Sequence, residues 1–163
     1  MKLLASVSNP TKPKTANSKT IALMLAGVFV IFAVTQLFNF DEFIKIVFTY
    51  GIFNDEITSK IKAVLLVVAE VFALPFLLRM RVSWLMRIVS MVCGWLVILF
   101  WLVVCVWLVI GKSNVVDIGF LGGIVELMPG WWAVLLSLGL GILSAWASWG
   151  MWPVRAKKLP ASR

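Results

Sequence analysis

One carboxyl group stands inside an apolar run. Residues Ile61 to Leu78 read IKAVLLVVAEVFALPFLL, with Glu70 near the middle. Of the seven acidic residues, Glu70 is the only one inside a hydrophobic segment. An ionised carboxylate at the centre of a spanning helix costs about 2.5–3.5 kcal/mol on insertion scales. The group must therefore face other helices, find a hydrogen-bond partner, or carry a proton. Five residues on, Pro75 lacks a backbone donor and frees the carbonyl of Val71, so a helix kink is expected there. Two readings of Glu70 stand open. In one it exchanges protons or contacts a substrate between helices. In the other it hydrogen-bonds across helices to Gln36, to Thr35 or to a freed carbonyl, and fixes the packing.

Composition removes much other chemistry. The 163 residues include no histidine. That excludes histidine-ligated haem, histidine-based zinc or iron sites, and Ser–His or Cys–His pairs. Cys93 and Cys105 lie twelve positions apart in one apolar run. On a helix that is about 1200° of rotation and roughly 18 Å, so they cannot bridge and read as buried small hydrophobes. Asp41, Glu42, Asp55 and Glu56 read as a solvated face, or as an attractor for a cation or basic partner. No phosphate loop, nucleophile elbow or metal-ligand spacing occurs. The net charge of +8 does not mark a nucleic-acid binder, because the basic residues flank apolar segments instead of forming a stripe with aromatics. The expectation is no cofactor, no metal, no nucleic acid, and a reading that leans away from an enzyme.

The elements that position Glu70 follow from hydropathy. With 62% hydrophobic residues the chain reads as an integral membrane protein. The expected fold class is all-α, a four-helix bundle with a short interfacial helix between the first two spans. Residues 1–19 form a flexible basic tail, with too short an apolar stretch at Met1–Val7 for a signal-peptide core. Spans are expected at about 20–38, 57–78, 88–110 and 131–152. Asp41–Tyr50 alternates charge with Phe and Ile and reads as the interfacial helix; Gly51 ends it, and Asn54 or Asp55 caps the next helix. The glycines of the 111–130 connection permit tight turns or a re-entrant path. Trp131-Trp132 and the Trp149–Trp152 cluster form aromatic belts at the two interfaces. Between them Ser137, Gly141, Ser144, Ala145 and Ser148 offer small residues for helix packing, within the bundle or between copies in a homo-oligomer. Residues 153–163 are a second basic tail.

Charge sets the orientation. Eleven of the fifteen basic residues fall in the two tails and the Arg79–Arg87 turn, with no acid among them. The positive-inside rule then places both termini in the cytoplasm of a bacterial-type inner membrane.

The pattern resembles the DoxX-like superfamily, including its MauE group. The resemblance rests on four short spans and a Phe-rich first connection, FNFDEFIKIVFTYGIF. It continues through a second helix with a central glutamate, VVAEVFALPFLL, a short basic turn over Arg79–Arg87 and a long third span. It covers roughly residues 20–150. The MauE group often carries a Cys-Gly-Cys-Phe-Gly element in the last outer loop; the stretch Ile118-Gly119-Phe120-Leu121-Gly122 lacks both thiols. The resemblance implies a link to maturation of periplasmic dehydrogenases, or to small subunits of sulfur- or quinone-linked membrane oxidoreductases. Together these readings lead to an accessory or assembly component of a membrane or periplasmic redox system. The alternatives are a small proton-coupled transporter using Glu70 and a small subunit of a quinone-linked oxidoreductase.

Overall fold

A computed structural model describes residues 13–51, 55–111 and 115–152. The tail up to residue 12, the tail from residue 153, Asn54 and Lys112 lie outside the described residues. Five helices and no strand element occur among those described: α1 (Ala16–Phe38), α2 (Phe40–Thr49), α3 (Glu56–Leu77), α4 (Trp84–Ile110) and α5 (Trp131–Gly150).

Capping explains where the helices begin. α1 starts at Ala16, four residues before the expected Thr20, because the Thr15 side chain accepts the Ser18 amide at 3.3 Å. Lys14 is already fastened: its amide donates to the Gly150 carbonyl at 3.0 Å, and its ammonium lies 4.6 Å from the centre of the Trp149 ring. α4 starts at Trp84 and not Ile88, since Ser83 accepts the Met86 amide at 3.2 Å. Asp55 caps α3, accepting from the Thr58 amide at 3.3 Å.

α3 runs through Pro75 and stops two residues later. Its end is a Schellman closure: Met80 N–H donates to the Pro75 carbonyl and Arg79 N–H to that of Phe76. Arg79 takes the left-handed position, φ 55°, where glycine is usual.

The long helices pack in a ring, α1 beside α3 and α5, and α4 beside α3 and α5, with α2 against α3. Each turns a stripe of small and aromatic residues inward, as α1 does with Ala22, Leu25, Ala26, Phe29, Phe32 and Ala33. At the α1–α5 crossing a Cβ on Gly150 would fall against the Ser18 hydroxyl, so the helices touch there only because Gly150 has none.

Polarity is inverted relative to a water-soluble domain. Ser18, Gln36, Ser59, Glu70, Ser90, Ser137 and Ser148 are buried, while Leu23, Ile31, Leu65, Leu96, Leu135 and Ile142 are exposed. Three helices, α1, α4 and α5, are long and apolar enough to cross a membrane. α3 has the length but carries Lys60, Lys62 and Glu70. The chain is a helical, multi-pass membrane protein.

Candidate functional site

Glu70 sits on the inward stripe of α3, four residues from Leu66 and three from Val67 and Ala73, all buried. It is 0% exposed. Its Oε1 accepts two hydrogen bonds, from Gln36 Nε2 on α1 at 3.3 Å and from Trp101 Nε1 on α4 at 3.4 Å. Gln36 Nε2 also donates to the Phe120 carbonyl at 3.3 Å, in the irregular segment between α4 and α5. One carboxyl and one amide thus join three helices and the 115–130 segment.

Aromatic rings close over this junction. Phe32 and Phe120 stack with centroids 5.4 Å apart, and Trp101 tilts against Phe120 at 4.6 Å. Two oxygens in the knot, Glu70 Oε2 and Gln36 Oε1, are buried with no hydrogen-bond partner among the described residues. Both are acceptors when Glu70 is ionised, so each calls for a hydrogen-bond donor that the described side chains do not supply.

Thr35 is not part of the knot. Its hydroxyl donates back to the Ile31 and Phe32 carbonyls at 2.8 and 3.0 Å, the usual local competition of threonine inside a helix. Pro75 lies about one and a half turns beyond Glu70, where Ser90 of α4 reaches the backbone of α3. Phe76 N–H donates to Ser90 Oγ at 2.8 Å, and Ser90 donates to the Ala73 carbonyl at 3.1 Å.

The small residues of α5 divide. Ser137 is buried, with its hydroxyl 3.6 Å from Cys105 Sγ. Ser148 is buried and accepts from Trp95 Nε1 at 3.1 Å. Gly141 is half-buried, and a Cβ there would meet Ile98 at 3.5 Å. Ala145 is exposed, and Ala147 is buried in its stead. Steps of three and four from Ser137 reach 141, 144 and 148; position 145 lies about 70° off the middle of that line. Both cysteines are free, Cys105 buried and Cys93 half-buried.

At the α2 end of the bundle three of the four acidic residues, Glu42, Asp55 and Glu56, are occupied locally. Glu42 pairs with Lys45 at 2.8 Å and Glu56 with Lys60 at 2.6 Å, both on exposed helix faces. The hydrogen bond from Lys45 to Glu42, and then the Glu42 charge, raise the Lys45 ammonium above its ordinary value. Asp55 is the α3 cap, and no group of three acidic or sulfur side chains among the described residues could hold a metal ion.

Sequence reasoning missed Asp117, Tyr50, Trp101 and Phe120 as positioning residues. Asp117 Oδ1 accepts from the Gly119 and Leu127 amides, both at 3.0 Å, and folds the 115–130 segment back on itself. The Asp-Ile-Gly spacing is an Asx-turn signal that would have found it. Tyr50, 4% exposed, donates its hydroxyl to the Ile118 carbonyl, while its own carbonyl accepts from Trp107 Nε1 at 3.1 Å. Burial pushes the Tyr50 phenol well above its ordinary value, and the charges of Asp117 and Cys105 add to the shift. A buried indole needs an acceptor, which was the available signal for Trp101. Nothing in the sequence marks Phe120, whose contribution is a backbone carbonyl.

No family model matches the chain, and neither does any curated protein or solved structure.

Proposed function

We propose that the chain is a four-span inner-membrane protein with both termini in the cytoplasm. It serves as an accessory or assembly component of a membrane or periplasmic redox system and carries no cofactor of its own. α3 is the fourth span: its 22 residues reach about 33 Å, enough for a hydrocarbon core of about 30 Å, with Lys60 and Lys62 at one end. The redox setting comes from the resemblance to the DoxX-like superfamily alone.

The observation that carries the non-catalytic reading is the sealed Glu70 knot. The carboxyl is fully buried, and the hydrogen bonds it accepts from Gln36 and Trp101 hold α1 and α4 to α3. A group so enclosed is suited to specifying helix arrangement. The test is reconstitution of the purified chain in liposomes, with an internal pH dye and Glu70→Gln alongside. Equal proton leak in both, together with stoichiometric co-purification of a membrane or periplasmic redox partner in mild detergent, is expected. Turnover of a substrate by the chain alone, abolished in Glu70→Gln, ends the accessory reading.

A second reading, a proton-coupled carrier, draws on the two buried oxygens without partners, Glu70 Oε2 and Gln36 Oε1. It requires proton flux that Glu70→Gln removes.

A further inference from the structure

The outward faces of α3 and α4 do not meet flush. A groove of about 630 Å³ runs between them. Ala69 leaves its floor low, and Leu65, Leu96, Leu99 and Val103 are among its apolar walls. Lys62 stands in the lining at the end nearest Tyr50. From Lys62 to Ala69 along α3 is about 10 Å, and from Leu96 to Val103 along α4 is about the same. That length is about two thirds of one leaflet, which is half of a hydrocarbon core of about 30 Å.

A groove that is apolar over about 10 Å and lined by a lysine at one end matches an anionic amphiphile. An apolar partner helix would lay hydrocarbon against the ammonium, whereas a lipid phosphate would lay acceptor oxygens against it. An ammonium has three N–H donors, enough for a contact within the chain and a phosphate oxygen together.

We propose that this groove binds an anionic phospholipid of the outer leaflet, with one acyl chain between α3 and α4 and its phosphate at Lys62. The proposal rests on the four-span reading, in which α3 is embedded and its beginning faces outward.

The experiment reconstitutes the chain in nanodiscs holding equal amounts of phosphatidylglycerol and phosphatidylcholine. The protein is then extracted in mild detergent and retained lipid is identified by native mass spectrometry. Phosphatidylglycerol should be retained over phosphatidylcholine by about fivefold, the factor one lysine near a membrane surface supplies. Lys62→Gln should keep lipid and lose the preference. Ala69→Trp, which fills the floor, should lose retained lipid, while Val68→Trp on the neighbouring exposed position keeps it. Equal retention of both lipids by the unaltered chain, or a preference that survives Lys62→Gln, overturns the site. So does a protein dimer found in place of bound lipid. A fluorophore at Val68→Cys separates the two failures. Quenching by aqueous iodide removes the spanning reading, whereas quenching by brominated acyl chains without lipid preference overturns the groove alone.

Discussion

The side-chain amide of Gln36, two residues from the end of α1, donates to Oε1 of Glu70 on α3 across 3.3 Å. Because the Trp101 indole reaches the same oxygen, this contact makes the α1–α3–α4 arrangement depend on one carboxyl group.

Replacing that group therefore separates shape from charge. Glu70→Ala leaves the Gln36 and Trp101 donors unmatched and opens a cavity, and should cost about 3 kcal/mol or more. Glu70→Gln keeps the side-chain shape and an acceptor oxygen for the Gln36 and Trp101 donors. Its cost should stay under about 1 kcal/mol. Reversible unfolding in mixed micelles measures both. Equal losses would show that the knot does not hold the helices.

The Ser90 bridge gives a second prediction. Ser90→Ala strands the Phe76 amide and removes a donor from the Ala73 carbonyl, both in buried surroundings. A loss of about 1–3 kcal/mol follows from the unsatisfied amide. Hydrogen exchange at Phe76 should quicken while amides at the start of α3 are unaffected. Unchanged exchange at Phe76 would mean the hydroxyl is dispensable.

Gly122 allows the 115–130 segment to rest on α1. Its φ is 60°, and a Cβ would lie 2.7 Å from the Gln36 Cα and from the Thr35 carbonyl oxygen. Both contacts are with backbone, which cannot swing aside as a flexible side chain can. Gly122→Ala should lift this segment, expose Phe120, and destabilise by about 1–2 kcal/mol from the left-handed conformation before the clash is counted. Limited proteolysis should then cut between α4 and α5. Resistance equal to that of the unaltered chain would contradict the close approach.

Tyr50 is the single tyrosine, so its titration reads one site. Its phenol is raised well above 10.0, first by burial and then by the charges of Asp117 and Cys105. A phenol with a raised folded-state value favours folding fully below its unfolded value of about 10. That contribution declines as pH climbs from the unfolded towards the folded value. Tyrosinate absorbance should thus stay absent through pH 10 in the folded protein and emerge with loss of near-UV circular dichroism at higher pH. Tyrosinate near pH 10 in a still-folded chain would contradict a buried phenol.

The sequence by itself determined the helices and their solvent. Apolar runs of about 20 residues leave few alternatives to helix in a bilayer, where backbone groups must be satisfied within the segment. Caps at Thr15, Asp55 and Ser83 are short-range, so their residue types already carry the helix starts, although only Asp55 was read as one. The isolated carboxyl of Glu70 was equally legible, because any charge in such a run stands out. Only the tertiary structure decided which side chains reach it. Gln36 and Thr35 are adjacent in sequence, yet helical rotation turns Gln36 inward and leaves the Thr35 hydroxyl bonded to its own helix. Trp101 reaches Glu70 from 31 positions away and the Phe120 carbonyl reaches Gln36 from 84, at places that periodicity alone cannot bring together. Helix–helix register depends on close approaches at Gly122 and Gly150 and on the Ser90 bridge. Those are contacts between distant segments, and no local pattern of residue types encodes them.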